Sequence, residues 1–270
     1  MNRVLVVAPR RPGQVAVLGV VLTWLAIILV IPLGALTFTV VARPGDTIRT
    51  LLTPDALFAL GQSITIAAIA LVVNGVLGVV GALVLVRQRF RGRRVLDALV
   101  DMPLALSPVM TGLAFLLLFG RNGILGPTLE ALDVRIAFAF PSLLIATLFV
   151  SLPFTVREVA LVLEELGTSE EESAATLGAS SLQTFFLVTM PNIRNGLSLG
   201  ATLTVARALG EFGAVLVVGG AIAGATQTAT TYIYVAMEER QVAGAYGMAM
   251  ILATAAAGLL VLLQKRRREV

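Results

Sequence analysis

Residues 157–194 read REVALVLEELGTSEEESAATLGASSLQTFFLVTMPNIR, a polar island between long apolar runs. The island gathers Glu158, Glu164, Glu165, Glu170, Glu171 and Glu172, six of the chain's sixteen acidic residues. Its pattern is a short helix, a glycine break and a second helix. Thr168 or Ser169 is placed to cap the first helix, with Glu171 or Glu172 at the capping-box spacing. Glu170, Glu171 and Glu172 also sit at the positive end of that helix dipole. Gly178 then fits the left-handed position just past a helix end. Ser180 or Ser181 restarts a helix carrying Leu182, Phe185, Phe186 and Val188, which Pro191 is expected to end or bend. A structured acidic element between two apolar runs points to docking. The alternative is a solvated acidic loop with an amphipathic interfacial helix.

The surroundings of the island are those of a membrane protein. Of 270 residues 57% are hydrophobic and only 13% are charged, and the mean hydropathy is +0.94. A soluble domain carries roughly 25% charged residues. Uncharged stretches run over residues 12–42, 56–86, 102–120, 136–156, 212–237 and 241–264. A span needs roughly 20 apolar residues. Six spans are expected, at about 15–41, 57–86, 101–120, 136–156, 196–219 and 241–263, within a single transmembrane domain over 1–270. Val15 to Val41 is too long for the apolar region of a secretory signal and reads as a retained span, with Pro32 as a kink. With both termini in the cytoplasm, fourteen basic residues fall inside: Arg3, Arg10, Arg11, Arg87, Arg89, Arg91, Arg93, Arg94, Arg157, Arg194 and Lys265 through Arg268. Five fall outside: Arg43, Arg49, Arg121, Arg135 and Arg240. That asymmetry obeys the positive-inside rule and puts residues 168–191 in the cytoplasm, between the fourth and fifth spans.

Composition removes several function classes. The chain has no cysteine and no histidine, which excludes thiolate metal sites and the commonest general base. An intramembrane enzyme would need a His-Glu-x-x-His cluster, a Ser-His pair or paired aspartates within spans. Asp101 has no partner aspartate there. Lys265 is the only lysine, so no Gly-Lys-Ser/Thr phosphate loop exists, and any ATP and its Mg would bind a separate ATPase chain. The pI near 10.3 reflects cytoplasmic arginines, not a nucleic-acid-binding domain. A channel or structural subunit working without ATP remains as an alternative, but it needs no capped docking loop.

Residues 172–191 resemble the permease loop of binding-protein-dependent ABC importers, of the form EAA-x3-G-x9-I-x-L-P. Glu172, Ser173 and Ala174 stand for EAA, Gly178 keeps the spacing, and Val188, Thr189, Met190 and Pro191 stand for the end. The segments DMPLALSPVMTGLAFLLLFGRNGILG at 101–126, ARALGEFGAV at 206–215 and AGATQT at 223–228 resemble sulfate and molybdate permeases. The combination is closest to the W-type sulfate/thiosulfate permeases, over about residues 57–264. Members of that family usually carry an Asn-Ile-Pro-Gly-like turn where this chain has Ala221, Ile222, Ala223 and Gly224.

The resemblance implies an all-α membrane domain of the type I ABC importer permease fold, with residues 168–191 as coupling helices. It implies a non-catalytic subunit of the cell inner membrane and a sulfate/thiosulfate substrate, with molybdate/tungstate as the alternative. The implied partners are a second permease in a heterodimer, two ABC ATPase subunits and an external sulfate-binding protein. The coupling set is Glu172, Ser173, Ala174, Leu177, Gly178, Phe185 and Pro191, with Leu177 or Phe185 plugging a groove on the ATPase. The residues themselves suggest a second set within the membrane. Arg207 and Glu211 are spaced i, i+4 on one expected helix face, as a structural or gating pair or as an oxyanion contact. Ser107 and Thr111 lie where Pro103 and Pro108 break the third span, and exposed amides at such breaks hydrate oxyanions. Gln62, Ser63, Thr65, Asn74, Thr202 and Thr204 are expected to make hydrogen bonds between helices.

Overall fold

The computed structural model describes residues 12–268. Arg3, Arg10 and Arg11, which weigh in the charge asymmetry, lie outside them. Among the described residues the secondary structure is helical, as α1 Pro12–Leu25, α2 Ile31–Ala42, α3 Pro44–Leu51, α4 Pro54–Arg87, α5 Arg93–Ala105, α6 Pro108–Phe119 and α7 Gly126–Ala131. The chain continues through α8 Phe140–Leu166, α9 Ser169–Thr176, α10 Ser181–Thr184, α11 Met190–Leu209, α12 Gly213–Gly219, α13 Ala229–Glu238 and α14 Val242–Arg268.

Four helical runs are long and apolar enough to cross a membrane unbroken: Val15–Ala42, Pro54–Arg87, Phe140–Leu166 and Val242–Leu259. The other two expected spans are broken. Arg93–Ala105 and Pro108–Phe119 meet at 114°, and Ser181–Leu209 and Gly213–Gly219 meet at 52°. Only by counting each bent pair as one span does the total reach six. The first break follows from Pro108, which disfavours helical backbone at the residue before it. Ser107 is extended at φ −63, ψ 138, and Leu106 at φ −84, ψ 140. Pro103 is carried inside α5 and does not break it.

Two prolines are accommodated by one device. A π-helical turn at Ala26–Val30 precedes Pro32, and another at Phe185–Thr189 precedes Pro191. A proline ring in an α-helix clashes with the carbonyl four residues back. Those carbonyls, of Ile28 and Leu187, lie inside the wider π turns. Of the two expected effects, Pro191 does not end the helix; it lies in the first turn of α11.

α8 is the centre of the packing. Val156, Val159, Ala160 and Leu163 form one cluster with Val79, Ala82 and Leu85 of α4 and Ile193 of α11. Higher on α8, Ala146 and Val150 pack on Ala214 and Val218 of α12, with Phe115 and Leu116 of α6 against them. Backbones approach closely at glycines, as membrane helices do. A Cβ on Gly196 would lie 2.7 Å from the Glu158 carbonyl, and one on Gly200 would lie 2.8 Å from the Thr155 Cα. These two glycines form a small-xxx-small stripe on α11.

The expected polar contacts divide. Asn74 donates to Leu148 O (3.1 Å) and Ser151 Oγ (2.9 Å), and Thr155 and Thr204 join through their hydroxyls (2.9 Å). Gln62 reaches Ala225 O, and Ser63 accepts from the Ala229 N–H. Thr65 and Thr202 instead return to their own helices, at Gly61 O and Ser198 O.

Candidate functional site

The acidic island folds as a knob, α9–Gly178–α10, that caps the shared end of α4, α8 and α11. α9 closes with both bonds of a Schellman motif: Gly178 N–H donates to Ala175 O and Ala179 N–H to Ala174 O, each at 3.0 Å. Gly178 has φ +87, as the left-handed position requires. The capping box forms at the second helix, not the first. Ser180 Oγ accepts from Gln183 N–H while Gln183 Oε1 accepts from Ser180 N–H (2.8 Å). At α9 the Thr168 hydroxyl donates to Glu172 Oε1 (2.6 Å) and makes no cap.

Two of the three consecutive glutamates anchor the knob. Glu171 pairs with Arg87 (3.0 Å) and accepts from the Thr189 hydroxyl (2.9 Å). Glu170 accepts from Asn192 Nδ2 (2.5 Å). Arg87 also donates to Leu163 O (3.1 Å) and Gly167 O (2.6 Å). Arg87 thereby joins α4 to α8 and α9, while Glu170 and Glu171 tie α9 to Asn192 of α11 and to Thr189 just before it. No local signal marks these partners, because Arg87 and Glu171 are 84 residues apart.

The knob's outer surface is apolar. Leu177 is 88% exposed, Leu182 72% and Phe186 62%. Phe185, expected as a groove plug, packs instead against the α4–α8–α11 cluster, edge-on to Phe186. Phe186 takes the outward place. Glu172 and Ser173 are exposed and Ala174 half-buried. A groove of about 450 Å³ runs between α9 and the base of α11, lined by Ala174, Leu177, Leu187 and Val188 among others.

The second set gathers at the two broken spans. Gly213, at the start of α12, lies against Pro108 and Val109 at the start of α6; a Cβ there would be 3.0 Å from Pro108. Arg207 and Glu211 form an ion pair of 2.7 Å, with side-chain exposures of 28% and 2%. They do not share one helix, since α11 ends at Leu209 between them. That frees Glu211 to accept from the Ala214 N–H of α12 (2.9 Å), while its backbone carbonyl accepts from the Thr230 hydroxyl (2.5 Å). One carboxylate thus fastens α11 and α12, and its backbone fastens α13. Ser107 is exposed at the head of α6. Thr111 is buried, with its hydroxyl on Ser107 O (3.3 Å), so it presents nothing to open space within the chain.

A third polar cluster went unanticipated. Arg157 of α8 grips Asp101 through Nε (2.8 Å) and Nη2 (2.6 Å), and Asp97 through Nη1 (2.7 Å). It clamps α5 to α8. Arg157 sits on α8, which runs on to Leu166, rather than in a loop after it.

The coupling and intramembrane sets are not brought together. They stand at the two ends of α11, whose run from Met190 to Arg207 covers about 25 Å at the helical rise. α11 thus runs from the base of the knob to the break at Gly210.

Residues 74–269 match the family described as binding-protein-dependent transport system inner membrane component. The sulfate transport system permease protein CysW of Synechocystis sp. is 46% identical over 204 residues, covering 76% of this chain and 74% of that protein. The sulfate transport system permease protein CysT of Salmonella typhimurium is 38% identical over 264 residues, covering 96% and 94%. A bacterial ABC transporter that imports the acidic polysaccharide alginate superposes with a TM-score of 0.75 at 16% identity over 96% of each chain, a likeness of fold. With a matched region of that extent, a capped knob and four to six candidate spans, the chain belongs to the multi-pass membrane permeases of the binding-protein-dependent ABC transport family.

Proposed function

We propose that this chain is the W-type permease subunit of an ATP-driven sulfate/thiosulfate importer. A second permease completes the pathway, two ABC ATPases carry ATP and Mg, and an external sulfate-binding protein delivers the anion. The chain binds no cofactor itself. It sits in the cell inner membrane with both termini, and the knob over residues 168–191, in the cytoplasm. The observation that carries this reading is the anchored knob at the base of α11, with Leu177, Leu182 and Phe186 turned outward. Closure of the ATPases pushes the knob, α11 transmits the push, and the Arg207–Glu211 junction responds where α11 meets α12.

In cells lacking their own sulfate uptake, the chain with its three kinds of partner is expected to restore uptake of labelled sulfate, with excess molybdate competing weakly. Molybdate uptake resisted by sulfate transfers the assignment to molybdate/tungstate. Uptake that survives ATP depletion transfers it to a channel. Gly178→Val places a β-branched residue at φ +87 and breaks the knob's turn. At a cost of roughly 1–2 kcal/mol or more, uptake is expected to fall about tenfold while membrane insertion is unchanged. Undiminished uptake in that variant refutes the docking role.

A further inference from the structure

We propose that residues 89–94 and the outward face of α5 form a binding surface for anionic phospholipid headgroups, in the leaflet on the knob's side of the membrane. The inference rests on the chain's membership of a membrane-permease family and is independent of which anion is carried.

Residues 87–94 read RQRFRGRR. Arg87 is engaged by the knob. Arg89, Arg91, Arg93 and Arg94 are exposed, and none forms an ion pair among the described residues. The acids that follow, Asp97 and Asp101, share the single charge of Arg157 and leave one negative charge uncancelled. Four positive charges within six residues against that one leave the segment with a net charge of +3.

The helix that follows is apolar on its outer side. Leu96 and Val100 pack against the α4–α8–α11 cluster. Val95, Leu99 and Met102, at the 4- and 3-residue spacings of one helix face, are exposed, as is Phe90. The Arg157 clamp fixes this orientation. A solvated loop has no use for these four apolar side chains. An interface does: phosphates meet the guanidinium groups while Val95, Leu99 and Met102 enter the acyl boundary. Arg87 ends α4 and holds Glu171, so the basic cluster lies at the knob's end of the bundle.

The chain has no cysteine, so Leu99→Cys provides a single attachment point for a fluorophore. The complete importer, with cysteine-free partner subunits, is reconstituted in phosphatidylcholine vesicles. Small fractions of nitroxide-bearing phosphatidylglycerol or phosphatidylcholine are then added as quenchers. Half-maximal quenching is expected at about a fivefold lower fraction of phosphatidylglycerol than of phosphatidylcholine. The preference is expected to shrink toward unity in ~1 M salt and in the R89Q/R91Q/R93Q/R94Q variant. The four-lysine variant, which keeps the charge, retains it. Equal quenching by both lipids with the arginines intact overturns the proposal. So does a label in the complete importer that neither lipid quenches, since a protein then covers the surface.

Discussion

Thr155 is held between two glycines. A Cβ on Gly78 of α4 would lie 2.5 Å from its Cγ2, and one on Gly200 of α11 would lie 2.8 Å from its Cα. The first position would also bring a Cβ to 2.7 Å from the Thr155 Cβ, which side-chain rotation does not move, so neither approach is relieved by a change of rotamer. Gly200→Val and Gly78→Ala are therefore each expected to cost about 1–3 kcal/mol or more by overpacking. Thermal unfolding in detergent checks both losses, and an unchanged Tm in either variant would contradict this account of α8. Ala221 illustrates strain of another kind. It has φ +50, a conformation that costs a non-glycine residue roughly 1–2 kcal/mol and that asparagine tolerates better. Ala221→Asn is expected to raise stability by about 0.5–1 kcal/mol, read as a small rise in Tm. A fall would show that the Gly219–Thr228 turn has no room for the amide.

At the scale of elements the knob is the informative unit. Its turn was legible, because Gly178 and Ser180 act through neighbours within five residues. Its attachment was not, because Glu170, Glu171, Thr189, Asn192 and Arg87 meet only after α4, α9 and α11 have packed. The three glutamates read as favourable charges at a helix start; two of them are ties. Glu171→Ala leaves Arg87 with only the Leu163 and Gly167 carbonyls. Removing a half-buried partner of this kind costs about 1–3 kcal/mol, concentrated at the α9 hinge. Protease cleavage between α8 and α9 is expected to accelerate and sulfate uptake to fall, with the span core unaffected. Unchanged cleavage would mean that the ion pair does not hold the knob. The broken spans teach a related lesson. Pro108 announces a break near Ser107, but nothing local gives its 114° angle or the Arg157 clamp that ties α5 to α8.

Across the whole molecule, α11 links a knob at one membrane face to a junction about 25 Å away. This architecture requires the knob and the α4–α5 connection to share one side. Single cysteines at Ser173 and Arg91, in a chain otherwise free of cysteine, are expected to react with a membrane-impermeant thiol reagent from the cytoplasmic side alone. Labelling of Ser173→Cys from outside would overturn the docking assignment. The permease fold and its membrane character were legible because each rests on local or compositional chemistry: charge gaps and a spaced turn motif. Which helices stay straight, that α8 sits at the centre, and that Phe186 rather than Phe185 faces outward were decided by packing.

The sequence by itself determined which stretches are apolar enough to cross a membrane and where the knob turns, since hydropathy, capping and glycine stereochemistry act over a few residues. Only the tertiary structure decided which charges are ties. Arg87 with Glu171, Arg157 with Asp97 and Asp101, and Glu211 with the head of α12 come from distant segments or across a helix break. A charge taken out of water must find its partner in space, and the chain's order does not say who that partner is.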